Sequence, residues 1–193
     1  MSRFKKELFV FCSRPLFRTC EIACNHAARI LISKRGLVKD EIQQDIEKLN
    51  TRRIECQREL NEIGKSHGYV CADCAGKCCG GVRERDAFLD RVIQNPSTPH
   101  LGARRKTGEL AIGKSALACA ELPSVEGFCT QLTCEGCKIP YELRPIQCTA
   151  YFCRKAIDAL SSAECDKGIR ALVRLMNIQL RCVALALKTW QLK

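Results

Sequence analysis

The sequence predicts a mainly α fold in which long amphipathic helices pack against a small cysteine-rich, loop-rich metal-binding core. Three observations lead to it. Apolar residues recur at helical spacing in three separate stretches, and no stretch shows the strict alternation of a strand. Between the second and third stretches, nine cysteines gather in two runs rich in glycine and proline. The first run, CADCAGKCC, holds Cys71, Cys74, Cys78 and Cys79; the second extends from Cys129 through Cys134, Cys137 and Cys148 to Cys153.

Four zones follow in order. Residues 1–35 form an amphipathic N-terminal helical segment, with Phe17, Cys20, Cys24, Ala27, Ala28 and Leu31 on one stripe. Cys20 and Cys24 stand one turn apart and could share a metal, but buried cysteine also serves as a small core residue, and core packing is the preferred reading. Residues 36–66 give a coiled-coil-like helix over 37–65, about 44 Å long at 1.5 Å per residue. Asp40 with Gln43 suggests a capping box at its start. Ile42, Ile46, Leu49, Cys56, Leu60 and Ile63 follow alternating four- and three-residue steps, with Arg53 in the one polar gap. Such a seam packs on another helix of the same chain or joins a homo-oligomer or protein partner. Residues 67–155 are the cysteine-cluster metal-binding domain, with a short amphipathic helix expected from Asp86 to Ile93 and stops at Pro96 and Pro99. Residues 156–193 form a C-terminal helix packing on the core and on helix 37–65. Asp166 is its expected N-cap. Ile169, Leu172, Val173, Met176, Leu180, Val183, Ala184 and Leu187 make its stripe, while Leu175, Ile178 and Leu185 widen the apolar surface to a second side.

Thiolates are soft anionic ligands, and two such runs brought together supply the sulfurs of a tetrahedral zinc site or an iron–sulfur cluster. With 16 cysteines in 193 residues, a disulfide framework is the competing reading. Disulfide scaffolds are generally under roughly 80 residues, whereas this chain can bury a core without staples. The N-terminal apolar run, Leu8 to Cys12, is shorter than the roughly 7–15 residues of a secretory signal. Vicinal Cys78 and Cys79 also suit converging ligands better than separate disulfides. A cytoplasmic setting follows from these points, and no apolar run approaches the roughly 18 residues that span a membrane.

Histidine is scarce: His26, His67 and His100. Only His67 lies close enough to the first run to join it, and a solvated turn residue is the simpler role. An all-sulfur donor set excludes calcium and magnesium and leaves zinc, an iron–sulfur cluster or copper(I). Vicinal cysteines on one tetrahedral ion would be strained, which favours two metals or neighbouring sites. The net charge is +11, and Lys77, Arg83, Arg85, Lys138, Arg144, Arg154 and Lys155 stand beside the cysteines, where they would offset an anionic centre. Arg144 more simply holds loop carbonyls, and Pro145 fixes the backbone leading to Cys148. Nucleic acid remains an alternative partner, disfavoured by 6% aromatics and by cysteine spacing unlike DNA-binding fingers.

One phosphate-loop pattern, Gly108-Glu-Leu-Ala-Ile-Gly113-Lys114-Ser115, lacks its context. A basic polar segment precedes it where a buried strand is required, and no second strand ending in Asp follows. No catalytic constellation is visible.

The cysteine runs resemble the zinc- or iron-chelating cysteine-cluster (YkgJ-type) family. The likeness rests on C-x2-C-x3-C-C followed by Cys137-Lys-Ile-Pro-Tyr-Glu-Leu-Arg144-Pro145-Ile-Gln-Cys148, where the family has C-x-I-Y…R-P-x-x-C. The resemblance implies Cys71, Cys74, Cys78, Cys79, Cys129, Cys137, Cys148 and Cys153 as ligands. It covers residues 71–153 and leaves the flanking helices without counterpart. Two departures stand out: Pro140 is inserted before Tyr141, and Cys134 is an additional thiol that could replace Cys129 or Cys137. Similar segments occur in flagellin lysine methylase-like proteins, which implies a component of protein lysine N-methylation as an alternative; no glycine-rich strand–helix turn for S-adenosylmethionine is present.

Overall fold

The computed structural model describes residues 2–33, 40–67, 132–133, 136–137, 140–144 and 146–191. These residues are mainly helical. Helices α1 (Ser2–Phe11) and α2 (Phe17–Ser33) are joined without a break by a π-helical turn, Cys12–Leu16. Pro15 sits in that turn, where its missing N–H removes one α-type hydrogen bond and the widened turn takes up the ring. Helix α3 is Asp40–Ser66. Strands β1 (Leu132–Thr133) and β2 (Gly136–Cys137) pair antiparallel, Leu132 opposite Cys137 and Thr133 opposite Gly136. This pair is a departure from the strand-free expectation; two residues per strand leave no alternation to read. A 3-10 turn (Tyr141–Leu143) and the short helices α4 (Ile146–Ala150) and α5 (Arg154–Ala159) then lead into the long helix α6 (Ser162–Gln191).

Helix α6 is the spine, packing against α1, α2 and α3. The direction of α1 and α2 along it follows from matched contacts. Lys5 pairs with Asp166, Phe9 covers Gly168, and further along Cys24 lies near Cys182, so the two run parallel. Helix α3 runs antiparallel, because Glu62 pairs with Lys167 and Glu59 with Arg174. Such exposed pairs add little stability; the apolar stripes decide the arrangement. On α3 the heptad residues Ile42, Ile46, Leu49, Cys56, Leu60 and Ile63 are all buried within this chain. The seam is thereby occupied by the chain's own helices, as the in-chain reading expects, and is not left open to a second copy.

The C-terminal helix differs from expectation in two ways. Its start is fixed by Ser161 and not by Asp166, which lies inside the helix. The Ser161 N–H donates to Glu164 Oε2 (2.8 Å) and the Glu164 N–H donates to Ser161 Oγ (3.2 Å), a reciprocal capping box. Its buried face is also turned: Leu172, Leu175, Ile178, Cys182 and Leu185 are buried, whereas Val173, Leu180 and Leu187 are exposed. Burial of a second side, with Leu175, Ile178 and Leu185, is as expected; the departure is the edge carrying Val173, Leu180 and Leu187.

Among the described residues, no helix is long and apolar enough to cross a membrane. The expected Asp86–Ile93 helix, the Gly108–Ser115 pattern and the side chains of Asp40 and Gln43 lie outside what is described.

Candidate metal centre

The segment that carries the end of the second cysteine run is held on α3 by a buried polar ladder. Asn50, Arg53, Gln57 and Asn61 follow one face of that helix. Arg53, 1% exposed, donates from Nε to Asn50 Oδ1 (3.0 Å), from Nη1 to Gln57 Oε1, and from Nη2 to the Glu142 carbonyl (3.1 Å). Gln57 donates from Nε2 to the Arg144 carbonyl (2.9 Å) and to Thr149 Oγ1 (3.0 Å). Arg144 returns the contact, its Nη1 donating to Asn61 Oδ1 (2.8 Å). A loop backbone without sheet or helix partners needs such donors when buried. Arg53 and Gln57 therefore hold the loop carbonyls of Glu142 and Arg144, and the Arg144 guanidinium binds the Asn61 side chain.

Beyond the ladder, Ile146, Thr149 and Ala150 bury one side of α4, leaving Cys148 half-buried. Cys153, also half-buried, is the N-cap of α5; the Ala156 N–H donates to its sulfur (3.3 Å). N–H···S bonds of this kind are among those that tune metal-bound sulfur. Arg14 reaches across from the π-helical turn, donating from Nε and Nη2 to the Phe152 carbonyl, both at 3.2 Å. Residues 140–153 are thus fixed from two sides. Cys137 lies on β2. Cys71, Cys74, Cys78, Cys79, Cys129 and Cys134 lie outside the described residues, as do Lys77, Arg83, Arg85 and Lys138. Among the described residues no three His, Cys, Asp or Glu side chains are grouped to hold a metal.

Of the seven cysteines outside the runs, Cys119 lies outside the described residues, and the other six have a different character. Cys12, Cys24, Cys56, Cys165 and Cys182 are buried in helices as thiols, and Cys20 packs on the edge of the same core. Burial raises every one of their pKa values. Cys24 is pushed up to about 12, by burial first and then by Cys182, Cys20 and Glu21 nearby, and burial takes Cys182 to about 12 as well. A protonated, desolvated thiol is a poor ligand. Cys20 and Cys24 are core residues, as the preferred reading holds.

His67 has a specific partner. Its Nε2 lies 3.0 Å from Glu164 Oε1, tying the end of α3 to the start of α6. Arg154, next to Cys153, binds Glu7 and Asp158. The Glu164 carboxyl is held down to about 2 by the Ser161 N–H, then the Ser161 hydroxyl, then His67. A lowered carboxyl pKa stabilises the fold above the ordinary carboxylate range, and that contribution is lost as pH falls from about 4.5 toward about 2. Glu164→Gln is expected to lower stability by about 1 kcal/mol at neutral pH. Denaturant melts of the two proteins should converge across that acid window; a pH-independent gap would remove Glu164 from the account.

No protein-family model, curated protein or solved structure matches this chain.

Proposed function

We propose that this is a metal-binding protein of the cysteine-cluster (YkgJ-type) kind, coordinating zinc or an iron–sulfur cluster through Cys71, Cys74, Cys78, Cys79, Cys129, Cys137, Cys148 and Cys153. Its role is structural, metal-handling or electron-transferring. The observation that carries the reading is the division among the cysteines. Those scattered through the described helices are core thiols with raised pKa values, whereas the nine in the two runs follow ligand spacing, Cys153 also packing on the edge of the core. Support also comes from the outlay of buried donors on residues 140–153. Arg53, Gln57 and Arg14 fix the backbone around Cys148 and Cys153, as a ligand loop requires if its geometry is to be set before metal arrives. If every coordination position is filled by sulfur, a zinc ion here has no open site and serves structure; an iron–sulfur cluster would supply electron transfer.

Metal content of three variants tests the ligand assignment. Cys78→Ser and Cys148→Ser are expected to lower bound metal, while Cys182→Ser, a change to a core thiol, retains it. Equal metal in all three would defeat the assignment.

A further inference from the structure

Helix α1 carries an apolar ridge that nothing among the described residues covers. Phe4, Leu8 and Phe11 are 73%, 37% and 52% exposed. Their i, i+4, i+7 spacing aligns them on one face, away from the buried Phe9. Single exposed apolar residues are ordinary, but two phenylalanines and a leucine in line on a water-facing helix are not. Exposed Pro15 follows in the π-helical turn. Beside that turn is the exposed Tyr151, whose ring centroid lies 5.3 Å from the Arg14 guanidinium.

Charge around the ridge is positive on balance, although Lys5 is paired with Asp166 and Arg154 binds Asp158 as well as Glu7. Residues 2–26 contain Arg3, Lys5, Lys6, Arg14 and Arg18 against only two acids, Glu7 and Glu21. Arg154 grips Glu7 with two hydrogen bonds, 2.8 and 3.0 Å, and Glu21 is buried. Arg3 and Arg18 are exposed. A second copy of this +11 chain would set cation against cation. A lone convex helix also lacks the groove that seats a partner helix. It has instead the form of an interfacial helix, whose apolar face sinks about 5–10 Å into a bilayer surface while Lys and Arg meet anionic headgroups.

We propose that α1 docks this protein, lying in plane, on an anionic lipid surface. Phe4, Leu8 and Phe11 are the inserted face, and Arg3 and Arg18 are the headgroup contacts. This is attachment to one leaflet and requires no spanning helix.

The test is co-sedimentation of the full chain with phosphatidylcholine–phosphatidylserine vesicles and with pure phosphatidylcholine vesicles. The wild type should partition onto the mixed vesicles and far less onto the neutral ones. Phe4→Glu with Phe11→Glu should cut partitioning roughly tenfold or more without changing the circular dichroism spectrum, since both side chains are exposed. Arg3→Gln with Arg18→Gln should weaken binding in the same direction. Equal partitioning of wild type and the Phe4/Phe11 variant, or no partitioning of the wild type, would overturn the proposal. So would a wild-type dimer that this variant dissociates in the absence of vesicle binding, which would give the ridge to a second copy.

Discussion

Phe9→Ala is expected to cost about 3–5 kcal/mol, the largest loss of any single truncation considered for this chain. Phe9 is fully buried. Its ring meets Phe152 edge to face, centroids 5.2 Å apart and planes at 79°, an arrangement that adds about 0.5–1.5 kcal/mol to the area it buries. On its other side it lies over Gly168 so closely that any Cβ there would overlap the ring. Three separate elements, α1, the stretch before α5 and α6, line the space the ring fills. None can collapse into it without giving up its own packing, so the cavity term is large. Denaturant unfolding would measure the loss. Phe4→Ala, on the exposed ridge of the same helix, should stay within about 0.5 kcal/mol of the wild type. A loss under about 1 kcal/mol for Phe9→Ala would mean that α1 does not dock on α6 as described.

Arg53→Met carries the second large effect. Buried charges are often replaceable by apolar side chains at no cost, because the lost interactions and the lost desolvation offset each other. Here the partners decide otherwise. Methionine would fill the volume but leave the Glu142 carbonyl, Asn50 Oδ1 and Gln57 Oε1 without the Arg53 N–H groups that now reach them. A buried acceptor so stranded, here Gln57 Oε1, costs about 1–3 kcal/mol, and the part-buried Asn50 and Glu142 acceptors less, so a net loss of about 2–4 kcal/mol is expected. Amide exchange should rise most in residues 141–149, whose backbone the ladder holds. Arg52→Met, exposed on the same helix, is the control and should be neutral. Uniform loss of protection along the whole chain, with no preference for that segment, would contradict the anchoring role.

Arg53 also shows where the sequence is legible and where it is not. The heptad pattern of α3 is readable because each apolar residue announces its own burial. Arg53 interrupts that pattern and, in isolation, reads as a polar gap. Its reason lies 89 positions away in the Glu142 carbonyl, a backbone group that no side-chain pattern advertises. The exposed edge of α6, with Val173, Leu180 and Leu187, was missed for a related reason. Leu180 and Leu175 are equally apolar, and only the positions of α2 and α3 decide which is covered. The start of α6 was available, by contrast: Ser161-Ser-Ala-Glu164 is a capping-box signature, and weighing it against the lone Asp166 would have placed the N-cap correctly. Of the candidate site, the spacing of the cysteine runs is plain in the sequence. The buried ladder that holds the backbone leading to Cys148, and the Arg14 contact beside Cys153, are not, because they are built from three-dimensional neighbours of unremarkable residue types.

Metal content of protein purified without oxygen, taken with its visible absorption spectrum, tests the central claim most directly. The account predicts about one or more metal ions per chain. Iron with acid-labile sulfide and a broad band near roughly 400 nm would identify an iron–sulfur centre, and zinc without colour would identify a sulfur-filled structural site. Folded protein carrying neither zinc nor iron, and taking up neither when supplied, would contradict the claim.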